Sequence, residues 1–163
     1  MEFDPIKTLA TLLRHGVSFV VIGGVAGRLW GSPTVTTDVG VCYDRARPNL
    51  EALASALREL EARLRGVDED VPFQLDADAL ATGQNFTFTT RFGPLDVLGM
   101  PAEVKDYHEL AVNSRQFDLG DDVVVAVCDL DDLMRMKRAA GRAKDRIELE
   151  VLGAVSEERE RRR

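Results

Sequence analysis

The chain has no apolar run long enough to span a bilayer. Its most apolar stretch, residues 17–26, is about ten residues long, and a spanning helix needs roughly twenty. A secretory start is missing too, since Met1-Glu2-Phe3-Asp4 carries acid where a signal peptide carries base. A cytosolic protein without a membrane partner is expected. Cysteine is scarce: Cys42 and Cys128 lie far apart in apolar runs and match no metal-ligand spacing, so they read as buried thiols, with no disulfide or zinc implied. Internal repeats and low-complexity linkers are absent. Positive charge is in deficit, with 21 Lys and Arg against 28 Asp and Glu and a net charge of -7. That balance argues against nucleic-acid binding by bulk electrostatics.

What is present, 163 residues at 45% hydrophobic and 30% charged content, suffices for one core and is short for two. A single domain over residues 1–163 is expected, with its core at about 17–127 and a helical C-terminal segment at about 130–158. Asp4 and Pro5 open an amphipathic helix ending near His15-Gly16. Residues 17–22 read as a buried strand cut off by Gly23-Gly24, residues 25–30 as one or two helical turns, and residues 34–43 as a second strand. Leu50, Leu53, Leu57, Leu60 and Leu64 recur at three and four, which predicts a helix after Pro48. Residues 66–81 read mostly as loop. Alternation over 86–91, a turn at Phe92-Gly93-Pro94 and residues 95–98 predict a hairpin. A helix over 102–112, a second hairpin pairing 115–119 with 123–127, and helices over 130–140 and 143–158 complete an α+β domain with a mixed sheet. The charged tail 157–163 is expected to fray. His15 and His108 receive no role.

The net charge conceals an asymmetry. Residues 133–146 hold six bases (Arg135, Lys137, Arg138, Arg142, Lys144, Arg146) against one acid, Asp145, leaving -12 for the rest of the chain. That segment is the expected landing site for phosphate, although arginines at helical spacing are as often an ordinary solvated face. The acidic run 118–132, six aspartates and no base, pulls the other way.

A strand running into Gly23-Gly24 and a helix start lets backbone N–H groups approach a phosphate without Cβ interference. Alone, a glycine pair is more often a tight turn. Thirteen residues later Thr37-Asp38-Val39-Gly40-Val41 reads as a strand, where positions two apart share a face. Asp96 then sits amid apolar residues in a third strand, and a carboxylate there needs a cation or a donor.

This order resembles the polymerase-β-like nucleotidyltransferases. Val21-Ile-Gly-Gly-Val-Ala26, Gly31-Ser-Pro33, Thr36-Thr-Asp38 and Met136-Lys-Arg-Ala-Ala-Gly-Arg-Ala-Lys-Asp145 look like the AbiEii and MenT toxin branch, and the resemblance runs over about residues 17–152. It implies a nucleotidyltransferase fold, an NTP donor and two Mg²⁺ ions held by three carboxylates for in-line displacement at the α-phosphate. Asp38 and Asp96 match the first and third acids, and Gly40 stands where the second belongs. Gly23, Gly24 and Lys137 match the positions that hold the triphosphate. Lys144 and Asp145 match a Lys-Asp pair expected to support the site.

The resemblance implies a bacterial toxin of a toxin–antitoxin pair. It would transfer nucleotides to RNA, at the tRNA 3′ end, blocking translation and partnered by a cognate antitoxin protein. Gly40 reads either as natural decay to a binding module or as the silencing of a toxic activity, and the second is favoured because every other matched position is intact. A dead nucleotide- or antitoxin-binding module is the rival, followed by transfer to a small molecule or a protein hydroxyl.

Overall fold

In the computed structural model, which describes residues 2–66 and 73–163, the chain folds as an α+β domain around one mixed sheet. Among the described residues seven strands, β1 (Phe19–Ile22), β2 (Val39–Tyr43), β3 (Arg63–Leu64), β4 (Asn85–Thr90), β5 (Gly93–Leu98), β6 (Arg115–Asp118) and β7 (Val124–Val127), lie in the order β3-β4-β5-β2-β1-β7-β6. All four residues of β1 are buried, as an interior strand covered on both faces requires. The strand β1 runs antiparallel to β2 and parallel to β7, and β2 runs parallel to β5. The apolar run 19–22 therefore lies in the middle of the core, which extends from Leu9 to Leu152.

Among the described residues seven helices cover the sheet: α1 (Pro5–Arg14), α2 (Gly23–Trp30), α3 (Arg47–Glu59), α4 (Ala77–Ala81), α5 (Tyr107–Asn113), α6 (Leu130–Ala140) and α7 (Ala143–Arg161). Helix α1 starts where its chemistry predicts, with Asp4 Oδ1 accepting from the Lys7 amide at 3.1 Å and Pro5 in the first turn. Helix α2 stops at Gly31, whose φ of 117° ends it in the left-handed region. The indole of Trp30 donates to the Cys128 carbonyl at 2.8 Å, tying α2 to the end of β7. Helix α6 packs against both α2 and α7, and α1 packs against α3.

Several boundaries differ from the sequence expectation. Leu64 continues the leucine spacing, but α3 ends at Glu59 because Glu61 turns left-handed (φ 55°) and the chain then pairs as β3 with β4. Residues 34–38 are not strand. Arg28 binds the carbonyls of Pro33 and Thr34, each at 3.1 Å, and holds them as a loop over α2, so Asp38 precedes β2 by one residue. Helix α5 begins at Tyr107 rather than near 102, because Asp106 caps the Glu109 amide at 3.1 Å and Glu109 accepts from the Lys105 amide at 2.6 Å. The loop expected over 66–81 ends in α4, capped by Asp76, and its residues 67–72 lie outside the described residues. The tail does not fray as expected: α7 runs to Arg161, and Arg159 lies 4.6 Å over the Trp30 ring. Cys42 and Cys128 are buried free thiols, and burial, the larger cause, pushes the Cys42 thiol up to about 12. Among the described residues no helix is long and apolar enough to cross a membrane.

Candidate functional site

Parallel pairing of β2 with β5 puts Gly40 directly beside Asp96, and antiparallel pairing with β1 puts Ile22 on its other side. Asp38, two residues before Gly40, stands at the entry to the same strand. At the end of β1 the chain turns through Gly23, φ 71°, straight into α2. The first amides of that helix have no intrahelical partner, which suits them to an anion. Across from the strand ends, α6 contributes Lys137, and the start of α7 contributes Lys144, Asp145 and Glu148. All of these, with Arg142, line one cavity of about 370 Å³. The structure thus brings Gly23, Gly24, Asp38, Gly40, Asp96 and Lys137 together in a single site, including residues more than a hundred positions apart in the chain.

Two glycines at the site differ in what they permit. A Cβ at Gly24 would lie 2.5 Å from the Thr36 hydroxyl oxygen, so the loop over α2 needs glycine there. A Cβ at Gly40 would meet Ile22 Cγ1 at 3.4 Å and Ile22 O at 3.5 Å, which is ordinary contact, and Gly40 is not among the left-handed glycines. Nothing in the backbone demands glycine at position 40.

The electrostatics of the two acids are unequal. Burial raises the Asp96 carboxyl above its ordinary value of 3.8; the charge of Asp38 adds to this, and Arg65 and Lys144 oppose it. Arg65 binds Asp96 Oδ1 at 3.0 Å and the Phe88 carbonyl at 2.7 Å. Arg65 had no signal in the sequence, because directly after the leucine spacing that ends at Leu64 it reads as the close of a helix and not as a residue of the sheet edge. Among the described residues, no three His, Cys, Asp or Glu side chains converge closely enough to hold a metal ion. The donor set therefore does not fit the expected bridged pair of Mg²⁺ ions. Two carboxylates do fit one Mg²⁺ arriving on a triphosphate, since Mg²⁺ commonly takes one or two carboxylates and completes its shell with phosphate oxygens and water.

Half of the bases in the segment 133–146 are neutralised by acids of this chain. Arg135 pairs with Glu109 at 2.9 Å and Asp132 at 3.3 Å. Asp145 accepts from Arg142 Nε at 2.6 Å, from its second guanidinium nitrogen at 3.2 Å and from its backbone amide at 3.2 Å, and lies 3.9 Å from Lys137 Nζ. Burial pushes Asp145 up, but the hydrogen bonds and charge of Arg142 outweigh it and hold the carboxyl below 3.8. The same contacts raise Arg142, with smaller contributions from Asp38 and Asp96. Arg138, Lys144 and Arg146 are exposed and form no ion pair among the described residues. Glu148, which carries no motif in the sequence, is buried in the cavity wall. Its signal was an acid on the buried stripe Asp145, Glu148, Leu152 of α7.

No protein-family model matches the chain, and no curated protein sequence matches it. Solved structures do. The lincosamide antibiotic adenylyltransferase LnuA, with lincomycin bound, superimposes with a TM-score of 0.61 at 9% identity over 95% of this chain and 99% of that one. The antibiotic-resistance factor ANT(2'')-Ia matches with a TM-score of 0.57 at 12% identity over 91% and 82% of the two chains. A Thermotoga maritima protein proposed to be a nucleotidyltransferase matches with a TM-score of 0.55 at 16% identity over 88% and 86%. At such identities the likeness shows the fold, and that fold is the one these nucleotidyltransferases share.

Proposed function

We propose that this chain binds an NTP in the cavity for nucleotidyl transfer, and that Gly40 holds the transfer step off. The observation that carries the reading is the register of Gly40 beside Asp96, with Asp38 two residues before it, facing Gly23-Gly24 and Lys137 across one cavity. The free amides at the start of α2 and the ammonium groups of Lys137 and Lys144 bind the triphosphate and offset its charge. To Asp96, beside Asp38 in the cavity wall and with one oxygen left free by Arg65, we assign acceptance of the proton from the attacking hydroxyl. Asp38 and Asp96 would hold the Mg²⁺ of the incoming NTP, which would supply further neutralisation of phosphate charge.

For the acceptor we favour RNA, at the tRNA 3′ end, as in a toxin held by a cognate antitoxin. Support comes from Arg138 and Arg146, exposed bases on either side of the α6–α7 turn that carries the cavity-lining Lys144. A small-molecule acceptor is the second reading. It is favoured by the self-neutralised Arg135 and Arg142 and by the antibiotic chemistry of LnuA and ANT(2'')-Ia.

Because position 40 has room for a Cβ, Gly40→Asp should fold, and with Mg²⁺ and labelled NTPs it should label RNA where the parent does not. Label on aminoglycosides or lincosamides alone would select the second reading. Binding of NTP without transfer to any acceptor would leave a nucleotide-binding module, and absence of NTP binding in both proteins would sink the site assignment.

A further inference from the structure

Glu148 lines the cavity from α7, is 96% shielded from solvent, and its Oε2 is buried without a hydrogen-bond partner. A buried carboxylate oxygen with no donor costs stability, because the water that solvated it has been replaced by nothing. Such a group persists where a ligand supplies the donor. The fold even makes room for it. A Cβ at Gly27 of α2 would lie 2.6 Å from Glu148 Oε1, so any larger residue there would displace the carboxylate.

Resting on the nucleotide reading above, we infer that Glu148 is a specificity residue that accepts a hydrogen bond from the nucleoside part of the NTP, from a sugar hydroxyl or a base amino group. Charge decides between the two ends of the ligand. The triphosphate is repelled by a carboxylate and is attracted to Gly23-Gly24, Lys137 and Lys144. What meets Glu148 in the same cavity is then the uncharged, donor-bearing end. A hydrogen bond to a carboxylate discriminates strongly against a ligand lacking the donor, since the buried acceptor is then left bare.

The experiment measures binding of ATP, 2′,3′-dideoxy-ATP, ITP and inorganic tripolyphosphate to the parent chain, Glu148→Gln and Glu148→Met by calorimetry, with thermal midpoints recorded without ligand. Glu148→Met should weaken ATP about tenfold or more, Glu148→Gln by less, and neither should change tripolyphosphate. Loss of the effect with 2′,3′-dideoxy-ATP places the contact at the sugar; loss with ITP, which lacks the amino group, places it at the base. The ligand-free midpoint should rise in Glu148→Met. Equal ATP affinity in the parent and both variants, equal weakening of ATP and tripolyphosphate, or a lowered midpoint in both variants would overturn the inference. A parent that binds neither ATP nor tripolyphosphate has a different signature, and it would remove the nucleotide reading and this inference together.

Discussion

Asp145 and Glu148 stand one turn apart on the same buried face of α7, 1% and 4% exposed, and line the same cavity. Asp145 accepts three hydrogen bonds from Arg142 and has Lys137 nearby, whereas Glu148 Oε2 accepts none. The difference separates two uses of a buried acid. A carboxylate whose partners all come from the protein fastens the fold, here the start of α7 to the end of α6. One left without a donor weakens the fold and is suited to something from outside.

The largest effect should come from breaking the saturated member. Asp145→Asn removes the charge that offsets Lys137, itself only 13% exposed, and weakens the fork from Arg142. Breaking a buried pair costs about 3–5 kcal/mol, but Arg142 is 61% exposed, so about 2–3 kcal/mol is expected here. In a domain of this size that lowers the thermal midpoint by roughly 5–10 °C. Urea and thermal melts check it, and an unchanged midpoint would erase the contrast with Glu148, whose removal should shift the midpoint upward.

The same pair predicts a pH dependence. Asp145 is held below its ordinary 3.8, and a carboxylate depressed in the folded state contributes stability above its unfolded value and loses it as pH falls through the folded one. Stability of the parent should therefore decline below about pH 4, more steeply than that of Asp145→Asn. Parallel acid limbs in the two proteins would mean that the Arg142 contacts do not persist in solution.

The smallest effect on stability, within about 0.5 kcal/mol, belongs to the bases that neither acid engages. Replacing Arg138 and Arg146 with glutamine should flatten the dependence of log tRNA affinity on log salt by about 1.4, at roughly 0.7 for each phosphate of single-stranded RNA that is no longer neutralised. Superimposable salt titrations would move the RNA elsewhere or favour a small-molecule acceptor.

Local chemistry made much of this legible in advance. The bounds of α6, 130–140, follow from its apolar spacing and from Gly141, and both hairpins follow from alternation around a glycine turn. Gly23-Gly24, Asp38, Gly40, Asp96 and Lys137 could be singled out because each lies in a short recognisable segment. Errors arose where a local pattern was overruled at a distance. Leu64 keeps the helical spacing yet pairs with Phe88 in the sheet, and residues 34–38 have strand-like composition yet are held by Arg28.

By itself the sequence determined the order of the elements apart from β3 and α4, and the identity of the groups available for chemistry, because turn, cap and periodicity signals act within a few residues. Tertiary structure alone decided the partners. That Gly40 lies beside Asp96, that Arg65 takes one of Asp96's oxygens, and that Asp145 is saturated while Glu148 is not all depend on segments far apart in the chain. Whether a buried charge is satisfied is a property of the three-dimensional neighbourhood, since it is set by which donors stand within about 3 Å, and no residue carries that information in its own spacing.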